Sequence, residues 1–291
     1  MNDFAQAIPA PSVSASLQKM GPMLVASGKL ATKDLAEILA AQKTYGLRFG
    51  DAALKLGLVS AEDVQAILAE QFAYTTPPGK HSLLDKRLVA LFQPDGAQAE
   101  ALRSLRSELL LRYFNNQQQT TLALVGCDEA ETIALTSANL AISFAQMGIN
   151  TLLVDCNLRQ PQLQALFHLD PMAPGLSDSL AGRSALVPSA IEGIRALQVI
   201  GAGTPVPNPQ ELLASKPHFQ TQLSSLSQGF DVVVLNTSPL TNNRDAQLVA
   251  AQAGAALLLA QANQTKTRTL SDISIRLQEL GVRLLGVSLT S

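Results

Sequence analysis

The stretch TLALVGCDEAETIALTSANLAISFAQMGINTLLVDCNLRQP, residues 121–161, decides the fold. It opens on an unbroken apolar run, TLALVG (121–126), which predicts a strand buried on both faces. A loop with Asp128, Glu129 and Glu131 follows, then apolar residues at helical spacing over 134–147, then a second apolar run, TLLVD (151–155). Working outward, LQVIGA (197–202), DVVVLN (231–236), AALLLA (255–260) and RLLGVSL (283–289) predict further buried parallel strands. Helical segments over 219–227 and 269–280 lie between them. Such alternation predicts an α/β fold: a doubly wound, mostly parallel sheet with helices on both faces and ligand sites at the carboxyl ends of the strands.

Apolar residues make up 47% of the chain and charged residues 15%, so most of it can bury enough surface to offset the entropy of folding. A net charge of -2 argues against a nucleic-acid partner held by electrostatics. No apolar run approaches the roughly 20 residues of a membrane span. The start, MNDFAQAIPAPSVSAS, lacks the basic-then-apolar order of a secretory signal. A cytoplasmic protein without direct membrane insertion is the expectation. Cys127, Cys156 and the three histidines share no ligand spacing, so no metal site is predicted.

Ahead of the sheet the texture differs. Residues 1–18, rich in Ala, Pro and Ser, read as a flexible tail. GKLATKDLAEILAAQ (28–42) then repeats as GLVSAEDVQAILAEQ (57–71), 29 residues on. Each copy offers an N-cap candidate, Thr32 or Ser60, before apolar residues at helical spacing. The copies are too small to bury a core singly and should pack on one another. A small all-α domain is expected over 19–73, a Pro- and Gly-marked linker over 74–99, and the α/β domain over 100–291.

Three strand-end loops carry the chemistry. In the first, counting back from Asn139, the Lys and Ser/Thr positions of a phosphate-binding loop hold Ile133 and Ala134, and Thr132 takes the preceding Gly. The second, LLVDCNLRQP, resembles the strand-end Asp-x-Asp-x-Arg signature of bacterial tyrosine kinases. Asp155 and Arg159 match it and Asn157 replaces the second acid. The third, FDVVVLNTSP, resembles the strand ending in a magnesium-organising Asp, where this chain has Asn236. EALRSLRSELLLR resembles the helix that joins these kinases into rings, with Glu100, Arg103 and Arg106 in place. GTPVPNPQELL (203–213) and DAQLVAAQAGAALLLAQANQTKT (245–267) extend the likeness over nearly all of 100–291.

The resemblance implies a P-loop fold of the MinD/ParA kind, and within the family the soluble exopolysaccharide chain-length-determinant kinases. An amide has no charge to offer a hard dication. The altered positions therefore imply a degenerate kinase with no catalytic residues and no expected ATP or magnesium cofactor. The tyrosines are Tyr45, Tyr74 and Tyr113, so the family's C-terminal tyrosine acceptors are not expected. The implied role is a regulator or scaffold in a homo- or hetero-oligomer. Its implied partner is a membrane polysaccharide co-polymerase or an active kinase paralogue, which would recruit it to the inner membrane. The rivals are an active ATP-dependent tyrosine kinase controlling polysaccharide chain length, and a ParA- or MinD-type switch.

Residues 19–71 are similar to the tandem N-terminal motif of type II secretion and pilus-extension ATPases, which implies cyclic di-GMP as a ligand. The matching positions are Gly21, Leu24, Gly28 and Gln42 in the first block, with Lys19 in place of Arg. In the second they are Arg48, Gly50, Gly57 and Gln71. Arg can stack on guanine and pair with phosphate, and Gly admits close backbone approach. The same glycines also suit a purely structural adaptor whose turns merely join helices.

Overall fold

The computed structural model describes residues 20–64, 67, 82–115, 119–127, 129–214, 216–241 and 243–290. The chain divides into two compact units, Met1–Tyr74 and Thr75–Ser291.

In the first unit the sequence repeat becomes a structural one. Helices α1 (Met20–Ala26), α2 (Leu35–Tyr45) and α3 (Phe49–Lys55) pack around Leu24, Leu30, Ile38, Ala53, Val59 and Val64. The two copies grip each other reciprocally. A Cβ on Gly21 would lie 2.6 Å from Leu35 and 3.0 Å from Phe49; one on Gly50 would lie 3.0 Å from Val64 and 3.4 Å from Met20. Each of these residues is matched by one 29 positions away in the other copy. Gly28 and Gly57, at φ 71° and 66°, close equivalent turns after α1 and α3 in a conformation that favours glycine.

The copies differ at one cap. Ser60 Oγ accepts from the Asp63 N–H (3.1 Å) while Asp63 accepts from the Ser60 N–H (3.1 Å), a capping box. Thr32, expected to cap the first copy, does not. The equivalent of Ser60 is Ala31, which has no oxygen to offer, and the first turn tightens to a 3-10 helix over Thr32–Asp34 before α2 begins.

In the second unit seven strands form one sheet: β1 (Thr121–Gly126), β2 (Thr151–Asp155), β3 (Ser189–Ile191), β4 (Ile194–Ile200), β5 (Val232–Asn236), β6 (Ala255–Gln261) and β7 (Arg283–Thr290). Their order is β3-β4-β2-β5-β1-β6-β7, parallel except for β3. Alternate residues feed two cores. Leu122, Leu124, Leu153, Val232 and Val234 face one, with Leu140 and Phe144 of the helix α5. Ala123, Val125, Leu152, Val154 and Val233 face the other, with Phe219, Val249 and Leu277. The helix α4 spans Ala97–Leu109 and α5 spans Ala130–Ala145.

Three expectations change. Of the segment read as a linker over 74–99, residues 82–99 belong to the sheet unit and 74–81 lie outside the described residues: Leu88, Ala90 and Leu91 are buried in that unit's core, and Asn139 of α5 and Gln146 just after it bond the backbone of Ala90 (2.9 and 2.7 Å). The strand at 283–289 is not buried; as the sheet's edge it leaves Val287 and Leu289 50% and 73% exposed, with an irregular register beside Gly286. The α5 helix starts at Ala130, four residues early, because the run read as loop lacks glycine and consists of fair helix formers.

Ala31 already has a cap-competent extended backbone (φ -78°, ψ 142°), and Asp34 lies three residues on. Ala31→Ser is therefore expected to raise protection of the 20–64 amides in the full chain, and Ser60→Ala to lower it, each by about 1 kcal/mol. Hydrogen exchange measures both; an unchanged Ala31→Ser profile would show that the 3-10 turn is set by packing instead.

Candidate functional site

Register places the site. Asp155 of β2 and Leu124 of β1 both stand opposite Asn236 of β5, so β2 and β5 end together and β1 runs two residues further. From β1 the chain turns into α5 within residues 127–129, of which Asp128 lies outside the described residues. A phosphate cradle needs several backbone N–H groups facing one point, usually from glycines. Here the described residues of the turn have no positive φ, and Ile133 and Ala134 are fully buried in the apolar core beneath α5. Thr132 is half-buried, its carbonyl accepting from Thr136 Oγ1 (2.8 Å).

The second and third loops meet in a closed polar network. Asp155 has no solvent exposure, and its carboxylate accepts four N–H groups. Asn236 Nδ2 (2.9 Å) and the Asn157 amide (3.1 Å) reach Oδ1; the Gln162 and Leu163 amides (both 3.1 Å) reach Oδ2. Ser137 Oγ on α5 shares its one proton between the Ile133 carbonyl (2.8 Å) and Asn236 Oδ1 (3.3 Å). The Asn157 side chain is turned onto its own loop, donating to the Gln160 carbonyl (2.8 Å) and accepting from the Gln160 amide (3.1 Å). Arg159 Nε pairs at 2.6 Å with Asp245, which is 2% exposed. The four N–H donors engage both Asp155 oxygens, and the facing group is a neutral amide, so these residues do not fit a divalent cation, which takes free oxygens. No group of three or more His, Cys, Asp or Glu able to hold a metal occurs among the described residues.

Beside this network lies an open cleft of about 460 Å³, lined by Cys127, Glu129, Glu131, Gln160, Gln162 and Thr241 among others. Among the described residues, Asp155, Asn157 and Asn236 do not line it, nor does any Lys or Arg. Arg87 reaches the lining, its guanidinium pairing with Glu131 and, at 2.7 Å, with Asp85. A polyanion in this cleft would face the carboxylates of Glu129 and Glu131, the second of them paired with Arg87.

The remaining candidates are dispersed. Glu100 and Arg103 pair with each other on α4 (2.6 Å). Arg106 turns inward to the Ser143 carbonyl of α5 (2.8 Å), and burial lowers its pKa. In the small unit Gly21, Gly50 and Leu24 are buried, Gly28, Gly57 and Arg48 are exposed, and Gln42 donates to the Leu47 carbonyl (3.3 Å). Lys19 and Gln71 lie outside the described residues. Sequence reasoning missed Arg87, Ser137 and Asp245. The apolar run LVALF (88–92) was the available sign that Arg87 adjoins a core segment. Nothing local marked the pairing of Arg159 with a residue 86 positions away.

Burial pushes the pKa of Asp155 up to about 6, against the pull of its four N–H donors. A raised folded-state pKa means that this group's contribution to stability is full below about pH 4 and is lost as pH rises through about 6. Relative to Asp155→Asn, which does not titrate there, the wild type should lose about 3 kcal/mol of advantage between pH 4 and 7. Urea unfolding of both proteins across that range reads the difference; an advantage that grows with pH would show that the N–H donors outweigh burial.

No protein-family model matches the chain. It is 27% identical over 206 residues to the tyrosine-protein kinase YwqD of Bacillus subtilis, covering 70% of this chain and 86% of that one. Among solved structures, the kinase domain of the Escherichia coli tyrosine kinase ETK superposes with a TM-score of 0.65 at 28% identity, covering 70% of this chain and 79% of that one. The VpsO kinase domain does so with a TM-score of 0.59 at 30% identity, covering 66% and 94%. Together with the parallel sheet and its strand-end loops, these similarities make the chain a homologue of the bacterial tyrosine-protein kinases.

Proposed function

We propose that the chain is a non-catalytic member of this kinase group, a pseudokinase that regulates or scaffolds exopolysaccharide biosynthesis. One observation carries the reading: the strand-end residues bond to one another inside the protein, apart from a cleft whose described lining holds Glu129 and Glu131 and no Lys or Arg. A kinase must hold a nucleotide triphosphate and its magnesium at this point, with a Lys and backbone N–H groups on the phosphates. Here Ile133 is in the apolar core, and Asn236 is committed to Asp155 and Ser137.

In this reading the sheet unit acts through assembly, with a membrane polysaccharide co-polymerase or an active kinase paralogue as partner and Glu100 and Arg103 on the contact face. Those two remain at the surface of α4, whereas Arg106 is drawn inward. The small unit supplies the regulatory input, taking cyclic di-GMP at Arg48 and the exposed turns of Gly28 and Gly57. Gly21 and Gly50 serve packing between the repeat copies.

Calorimetric titration of the purified full chain tests both halves. With ATP and magnesium no heat is expected up to about millimolar concentration; binding in the micromolar range would return the active-kinase reading to the front. With cyclic di-GMP binding is expected and Arg48→Ala should weaken it at least tenfold, about 1.4 kcal/mol. Silence toward cyclic di-GMP would reduce the small unit to an adaptor.

A further inference from the structure

Asn236 touches two other elements through opposite ends of one planar group. It stands on β5; its Nδ2 donates to Asp155 on β2 (2.9 Å) and its Oδ1 accepts from Ser137 on α5 (3.3 Å). Its backbone carbonyl accepts from Cys156 (2.9 Å), and Asn236, Asp155 and Ser137 all have zero exposure. Replacing the carboxamide by a carboxylate of the same outline would set two carboxylate oxygens about 2.9 Å apart, one from β2 and one from β5, with the Ser137 hydroxyl at the other end of the new group. That all-oxygen set is what a hard dication takes, and neighbouring ligands in an octahedral magnesium shell stand about 3 Å apart. The Asn236–Asp155 pair has that spacing, but an N–H group stands where the cation's charge would be needed.

We propose that the Asn236 carboxamide is a built-in substitute for a cross-linking dication. It ties β2, β5 and α5 together, so the strand-end loops hold one arrangement whether or not magnesium or nucleotide is present. The inference rests on the non-catalytic reading and deepens it: a scaffold that does not cycle needs a permanent link in place of a reversible one.

Thermal melting of the full chain without nucleotide, in EDTA or in about 10 mM magnesium, tests this. Asn236→Asp places two buried carboxylates side by side. It should melt well below the wild type in EDTA near neutral pH and recover several degrees with magnesium, while the wild type does not respond. A wild type that shifts with magnesium as much as the variant would overturn the proposal. So would a folded Asn236→Asp protein that matches the wild type in EDTA or ignores magnesium. Should that variant not accumulate folded, Asn236→Ala removes both contacts without adding charge. Its amide exchange at Cys156, Asn157 and Leu163 should quicken at least tenfold, equally with and without magnesium, and wild-type protection there would sink the idea. Failure of the non-catalytic reading is seen separately, as ATP binding to the wild type.

Discussion

One buried carboxylate holds the strand ends in place. Asp155 has no exposure, and a bare charge at that depth would cost several kcal/mol without compensation. Compensation comes from four N–H groups in three different places: its own turn at Asn157, the chain at Gln162 and Leu163, and the Asn236 side chain on β5. The turn after β2 therefore curls back over the end of its own strand, and β5 is fixed level with β2. Through Asn236 the same constraint reaches Ser137, and so the first two turns of α5. Thr237 adds a bond to the Leu124 carbonyl of β1 (2.6 Å), so three adjacent strands are joined in one bonded layer.

That layer separates two environments. Beneath it the sheet feeds apolar cores on both faces; above it lies a polar cleft whose charges are carboxylates. Ile133 marks the divide. Its side chain enters the core, and a Cβ on Gly126 would lie 3.4 Å from its Cδ1, so α5 approaches the end of β1 closely. A lysine there would have to leave the core to reach the cleft, at the cost of the packing that now fixes the start of α5. The short turn at 127–129 and the early start of α5 follow from that packing.

The fold was legible because a doubly wound sheet writes itself in long apolar runs, and β1, β2, β5 and β6 are such runs. β3 has only three residues, and its trace was the two-residue turn Glu192–Gly193 with Gly193 at φ 81°. The edge position of β7 could not be read, since composition does not say which strand lacks a neighbour. For the site, the residue types at the three loops were legible, but their directions were not. Asn157 and Asn236 look equivalent as amides, yet one folds onto its own loop and the other bridges two elements. Arg87 was hidden by prolines and glycines nearby that suggested a linker.

The altered residues make electrostatic sense as a set. A buried site tolerates several carboxylates only while cations balance them, and each unbalanced charge at ε near 20 costs kilocalories per neighbour. With Ile133 in the apolar core, carboxylates at 157 and 236 would add two like charges to Asp155 with only N–H groups to offset all three. The amides remove those charges and preserve the shape. Asn236 goes further, because its N–H supplies one of the donors that lets the remaining carboxylate stay buried. With amides at 157 and 236 the layer keeps a single carboxylate, Asp155, and four N–H groups complete its hydrogen bonds.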